Sequence, residues 1–173
     1  MLVWRLAIGR FPEIDGEGAR LYGGRWNSPG VAIVYTATHV SLALLEQLVH
    51  VNPEELPDTF RAFAIELPDD LLPDVAELDV VPDDRAACRQ YGDAWTRSQR
   101  SGALVVPSAV VAPRLQPGNI LTQERNVLLN PRHSSVGRWR VTETSFRVDG
   151  RLKGGTIVRS GKQRRGCQAQ PPA

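Results

Sequence analysis

The chain has 173 residues, 42% of them hydrophobic and 23% charged, with a formal net charge of +2. That is the make-up of one ordinary globular domain, long enough to bury a core without staples, and it excludes a collagenous, disulfide-framework or wholly disordered protein. The charge is unevenly spread: from Gly150 onward there are six basic residues and no acidic one, leaving 15 basic against 19 acidic in residues 1–149, a body of net −4.

Residues 2–8, LVWRLAI, read as a strand, and residues 9–23, rich in Gly, Asp and Glu, as a loop. In GGRWNSPG, residues 23–30, two glycines permit unusual backbone angles and Asn27-Ser28-Pro29-Gly30 makes a turn. Residues 31–36, VAIVYT, form a compact β-branched run, hence a buried strand. Thr38 can cap a helix over 39–51, where Val40, Ala43, Leu44, Leu48 and Val51 recur at helical spacing, and Pro53 ends it. Residues 59–67 read as a strand, and the Pro- and Asp-rich stretch 68–84 holds a short strand near 75–81. Asp83 or Asp84 caps a second helix over 84–99; Gly92 inside it weakens it by about 1 kcal/mol relative to Ala. Residues 103–106 form a short strand ending at Pro107-Ser108, residues 126–131 another strand and turn, and residues 138–148 a last strand. Many short strands with two helices predict an α+β fold in a single compact domain over 1–152. Residues 153–173 form a basic tail almost without apolar residues, which predicts disorder.

Several function classes drop out. Cys88 and Cys167 belong to no CxxC or Cys/His cluster, and Cys88 reads as a small apolar core residue of the second helix. His39, His50 and His133 lack metal-ligand spacing, so no metal is expected; His39 and His50 flank the first helix and read as surface residues. Dinucleotide-binding GxGxxG, Walker, HExxH and GxSxG motifs are all missing. The opening apolar run is short and interrupted by Arg5, unlike a signal peptide, and no segment approaches the roughly 20 apolar residues of a membrane span. A cytoplasmic protein is expected.

Five polar residues at the ends of apolar elements are the candidates for chemistry. Arg5 interrupts a hydrophobic strand, where it needs an anionic partner or an outward position. Arg25 follows two glycines and offers a forked donor set that matches a pyrophosphate, or it is an exposed turn residue. Glu46 lies in ALLEQLV on an apolar helix, either on the solvent stripe or aimed into a cleft. Tyr35 ends a buried strand, where it can stack on a flat ring or serve as a core aromatic. Ser108 follows a strand and a proline, the place of a sheet-edge ligand and of ordinary turn chemistry alike. Both lysines of the chain lie in the tail; the body uses arginine, which suits bidentate contact with phosphate.

In combination these segments are more specific. Trp4-Arg5, Gly23-Gly24-Arg25-Trp26-Asn27, Val34-Tyr35-Thr36-Ala37, Ala43-Leu44-Leu45-Glu46, Gly92-Asp93-Ala94-Trp95, Val106-Pro107-Ser108-Ala109 and Asn126-Val127-Leu128-Leu129-Asn130-Pro131, followed by His133, occur in this order. Together they resemble the RES-domain family over residues 3–152, with Phe146-Arg147-Val148-Asp149-Gly150-Arg151-Leu152 a loose fit to its last motif. The resemblance implies a fold like that of the ADP-ribosyltransferases and the role of toxin in a bacterial toxin–antitoxin pair. It implies an enzyme that cleaves the nicotinamide–ribose bond of NAD⁺, a substrate here and not a cofactor, with inorganic phosphate or water as acceptor. The family's Arg, Glu and Ser correspond to Arg25, Glu46 and Ser108 as catalytic residues. Arg5, Arg25, Tyr35, Glu46, Ser108 and Asn126 would then bind NAD⁺, with His133 and Asn126 in a supporting shell. The partner implied is an Xre-like helix-turn-helix antitoxin in a multimeric complex, through which alone nucleic acid would be touched. Two other readings compete: a protein ADP-ribosyltransferase using the same site, and a non-catalytic binding module whose basic tail meets nucleic acid or an acidic partner.

Overall fold

The computed structural model describes residues 1–8, 14–71, 74–75, 84–111 and 125–153. Its elements in chain order are β1 (Leu2–Ala7), α1 (Glu17–Tyr22), β2 (Val34–Ala37), α2 (Val40–Leu48), β3 (Thr59–Glu66), β4 (Asp74–Val75), α3 (Arg85–Ser98), β5 (Ala103–Pro107), β6 (Arg125–Leu129) and β7 (Arg140–Arg147). The strands form one sheet in the order β4-β5-β6-β2-β1-β3-β7. All neighbours are antiparallel except β4 and β5. This is an α+β architecture, as the segment pattern predicts.

Strand alternation divides the core between two faces. On one face Val3, Val34, Phe63, Ile65, Val127 and Leu129 pack together, with Trp139 against them. The other face carries both longer helices. Leu42 and Ala43 of α2 cover Leu6, Ala37, Phe60 and Ala62, while Cys88 and Trp95 of α3 cover Leu104, Val106 and Leu128.

The ladder is uneven at its centre. β1 is in register with β3 from Leu2↔Glu66 to Ala7↔Arg61, and β2 with β6 from Val34↔Leu129 to Ala37↔Asn126. Between them β1 and β2 meet at Trp4↔Ala37 alone. The sheet is thus nearly split in two, and the split opens beside α2.

Several local expectations are corrected. The stretch 9–23 is not all loop: α1 forms at Glu17, held by a bidentate Arg20–Glu17 pair at 2.6–2.7 Å and stopped at Gly23 with φ 70°. The 9–23 composition hid it because six residues with an internal glycine carry little periodicity. β2 begins at Val34, not at Val31. Thr38 does not cap α2. Its hydroxyl and amide instead bond the backbone of Arg125, extending the β2–β6 pairing, and His39 takes the cap position with no side-chain bond to the helix. α2 stops at Leu48, and Pro53 opens a 3₁₀ turn beyond it. Asp84 is the cap of α3, accepting from Ala86 and Ala87. The strand expected near 75–81 is β4 at Asp74–Val75, and residues 76–83 lie outside the described residues. So does nearly all of the tail, from 154 onward. Among the described residues no helix is long and apolar enough to cross a membrane.

Gly92 has a reason that propensity does not show. A Cβ there would lie 1.9 Å from the Trp26 carbonyl oxygen, so α3 can rest on the 23–30 loop only without a side chain at this point. Backbone against backbone gives little room to adjust. Gly92→Ala is expected to lower the thermal midpoint by roughly 5–10 °C despite better helix propensity, as overpacking of about 2–3 kcal/mol does in a domain of this size. Differential scanning calorimetry measures it, and an unchanged or raised midpoint would show that the contact is loose.

Candidate active site

α2 places a carboxylate toward the sheet. Leu42 and Ala43 are its buried residues, and Glu46 lies four and three positions on, on the same side of the helix. Leu45 and Val49 take the outward side, 39% and 56% exposed. This inversion, apolar residues outside and a carboxylate within, is why helical periodicity left Glu46 open between solvent and cleft.

Two side chains meet Glu46 there, both at Oε1. The Ser108 hydroxyl donates to it at 2.8 Å, and Asn126 Nδ2 donates to it at 2.6 Å. Ser108 follows the last residue of β5 and is buried; Asn126 is the second residue of β6. The Ser108 oxygen also accepts from the amides of Val110 and Val111, each at 3.1 Å. Its lone pairs being so engaged, its one proton is directed to the carboxylate. Ser108 is therefore built to hold Glu46, not to attack a substrate. Among the described residues Glu46 Oε2 makes no hydrogen bond, and Oδ1 of Asn126 is buried without one.

The carboxylate forms part of the wall of the cleft at the β1–β2 split, about 370 Å³ of space partly continuous with solvent. Trp4, Arg5, Tyr35, Thr36, Glu46 and Asn126 are among its lining residues. By register Arg5 and Thr36 belong to one face of the sheet and Trp4, Tyr35 and Asn126 to the other, so the cleft cuts into the sheet itself. Arg5 Nη1 donates to the Tyr35 carbonyl at 3.4 Å, across the split. Burial pushes the Arg5 guanidinium down from its usual range and the nearby Asp15 carboxylate pulls it up. It stays a cation, since arginine does not lose its charge in proteins.

Tyr35 links the cleft to the loop that carries Arg25. Its hydroxyl donates to Asn27 Oδ1 at 2.7 Å and accepts from the Trp26 amide at 2.9 Å. Burial pushes this phenol well above the usual tyrosine range, while the Trp26 amide and the charges of Arg89 and Arg25 pull it down. Asn27, fully buried, donates to the carbonyls of Ala19, Ser28 and Val31. From α3, Asp93 accepts the Ser28 amide at 2.9 Å and Arg89 Nε donates to the Gly24 carbonyl at 3.0 Å. Gly24 is required by closeness: a Cβ there would lie 2.4 Å from the Tyr35 hydroxyl.

The structure brings together Arg5, Tyr35, Glu46 and Asn126 as cleft lining, with Ser108 directly behind Glu46. Arg25 does not line the cleft; it stands on the adjoining loop, near enough to act on the Tyr35 hydroxyl. His133 is a correction. It follows the far end of β6, beyond Leu129, where Nδ1 bonds Ser135, and it supports a turn against Gly102 instead of the site. His39 and His50 are exposed, and Cys88 is fully buried in the α3 core. Reasoning from sequence missed Arg89 altogether, met Asp93 only as a letter of a motif, and read Asn27 as a turn residue without the three carbonyls it holds. The i, i+4 spacing of Arg89 and Asp93 marks one helix face, but not the loop 65 residues away that it holds.

Tyr35→Phe removes the one group that joins Asn27 to the Trp26 amide, with the ring retained. It is expected to cost about 1–3 kcal/mol in denaturant unfolding and to speed exchange of the Trp26 amide proton. Unchanged protection of that amide would show that α3 alone fixes the loop.

A family model described as the RES domain matches residues 2–149. A protein of Photorhabdus laumondii subsp. laumondii named Toxin Res is 36% identical over 162 residues, covering 88% of this chain and 97% of that one. A Sphingobium sp. protein named Prs ADP-ribosylating toxin is 37% identical over 142 residues, covering 75% of this chain and 82% of its own length. Among solved structures, the M. tuberculosis MbcT–MbcA toxin–antitoxin complex holds a chain that matches with a TM-score of 0.65 at 18% identity, over 88% of this chain and 86% of that one. At that identity the likeness is one of fold.

Proposed function

The chain belongs to the RES domain family, and from that membership we propose that it is the toxin of a toxin–antitoxin pair and an enzyme that breaks the nicotinamide–ribose bond of NAD⁺. The observation that carries this reading is the Glu46 carboxylate, held through Oε1 by Ser108 and Asn126 in the wall of a cleft that also presents Arg5. Loss of nicotinamide from NAD⁺ breaks the C1″–N bond. The electron pair leaves with nicotinamide, which departs neutral, and positive charge grows on the ribose as in other glycosyl transfers. A fixed carboxylate beside that ribose stabilises the charge without having to reorganise, and Oε2 is the oxygen left to do so. Glu46 is thus the catalytic residue. Ser108 is a positioning residue, and Asn126 holds the same carboxylate from the cleft wall.

Arg5 and Arg25 supply cations for the diphosphate, and Arg25 can also receive an incoming phosphate. The Tyr35 ring packs on the nicotinamide or ribose, its hydroxyl being occupied by the loop. With phosphate as acceptor, one of its oxygens forms the new bond to C1″ and the products are nicotinamide and ADP-ribose-1″-phosphate. With water, the oxygen sheds a proton to solvent and the product is ADP-ribose. A second acceptor class is favoured by the name of the Sphingobium relative, an ADP-ribosylating toxin, in which a protein group would take the ribose. The expected partner is an Xre-like helix-turn-helix antitoxin that covers the cleft in a multimeric complex.

Purified protein incubated with NAD⁺, with and without inorganic phosphate, is expected to release nicotinamide, and chromatography identifies the second product. Glu46→Gln is expected to reduce the rate by at least about a hundredfold with the fold intact. Ser108→Ala leaves the carboxylate chemically present but loosened, and is expected to lower kcat by about tenfold or more with a smaller change in KM. Full activity in folded Glu46→Gln protein would remove Glu46 from the mechanism. Transfer of label to a protein without bulk NAD⁺ loss would favour the ADP-ribosylating reading.

A further inference from the structure

Arg89 is a cation to which the reading above gives no task, and among the described residues it is the arginine whose side chain bonds the backbone of the loop that bears Arg25. It lies on the exposed side of α3, in its second turn. Arg20, Arg61, Arg97, Arg138 and Arg151 each pair with a carboxylate. Among the described residues Arg89 pairs with none, and its one hydrogen bond is from Nε to the Gly24 carbonyl at 3.0 Å. That bond leaves both terminal nitrogens of the guanidinium to other acceptors. It also fixes where they are, because Gly24 is the residue before Arg25.

The Arg89 guanidinium, carried by α3, is therefore held against the loop that bears Arg25. Both arginines act on the hydroxyl of Tyr35, a residue that lines the cleft. Tyr35 is in register with Leu128, and Ala37 with Asn126, the residue that holds Glu46. The strand separates these two levels by two residues, roughly 7 Å.

We propose that Arg89 is a second arm, beside Arg25, that binds the diphosphate of the substrate. The inference rests on the dinucleotide reading of the site and adds a residue to it. A neutral donor would suffice to satisfy one loop carbonyl. A permanently charged fork without a carboxylate partner matches the geometry of a phosphate better.

Two substitutions separate the roles. Arg89→Gln keeps an N–H donor for the Gly24 carbonyl and removes the charge; Arg89→Lys keeps the charge and removes the fork. ADP-ribose, which contains the diphosphate, is titrated into each by calorimetry. Arg89→Gln is expected to raise Kd roughly tenfold with an unchanged thermal midpoint, and Arg89→Lys to fall between it and the parent. With NAD⁺ as substrate the same change is expected in KM, with kcat nearly constant. If Arg89→Gln binds ADP-ribose as tightly as the parent, Arg89 is a loop clip only and the proposal is overturned. If the parent itself does not bind ADP-ribose, the dinucleotide reading falls and takes this inference with it.

Discussion

A carboxylate turned toward a sheet has to be given partners, and the site is arranged around that requirement. Burying a charged group without hydrogen bonds is among the most unfavourable things a fold can do. Glu46 meets the requirement with two donors that come from different strands, Ser108 after β5 and Asn126 on β6. Neither donor is near it in the chain. The pairing of β6 with β2 and β5 must be complete before the carboxylate finds them. The same pairing sets the lane beside which the cleft opens, so the carboxylate and the space it faces are fixed by one set of strand registers.

The split between β1 and β2 is the second constraint. Strands joined at Trp4↔Ala37 alone leave room that a full ladder would close. Arg5 reaches across to the Tyr35 carbonyl, and its charge is kept where a hydrophobic strand would otherwise exclude it. The polar residue that looks misplaced in LVWRLAI is thus the one that lines the opening. On the other side of Tyr35, the loop bearing Arg25 is gripped from three directions: by the Tyr35 hydroxyl, by Asn27, and by Arg89 and Asp93 of α3. A loop held so firmly keeps the backbone of Arg25 in one place.

Much of this was legible in the chain. Strand runs such as LVWRLAI and TFRAFAIEL announce β1 and β3 because alternation and β-branching are local properties. Asp84 announces α3 because a cap acts within three residues. The ordered motifs from Trp4-Arg5 to Asn130 carried the family, and the matched span of residues 2–149 agrees with it. Other features were hidden for physical reasons. Thr38 has the chemistry of a cap, but its hydroxyl found the backbone of Arg125 instead. His133 stands in a family-like motif, yet β6 runs away from the site before reaching it.

What the sequence determined by itself was the kind of protein and the set of residues: an α+β domain of the RES family, with Arg5, Arg25, Tyr35, Glu46, Ser108 and Asn126 as the candidates. Only the tertiary structure decided their relations. It turned Glu46 inward, made Ser108 its support, gave the Tyr35 hydroxyl to the loop, and set Arg89 against the Gly24 carbonyl. Composition and periodicity act over a few residues, whereas each of these contacts joins elements brought together by strand register and helix packing, and register is a property of the folded sheet as a whole.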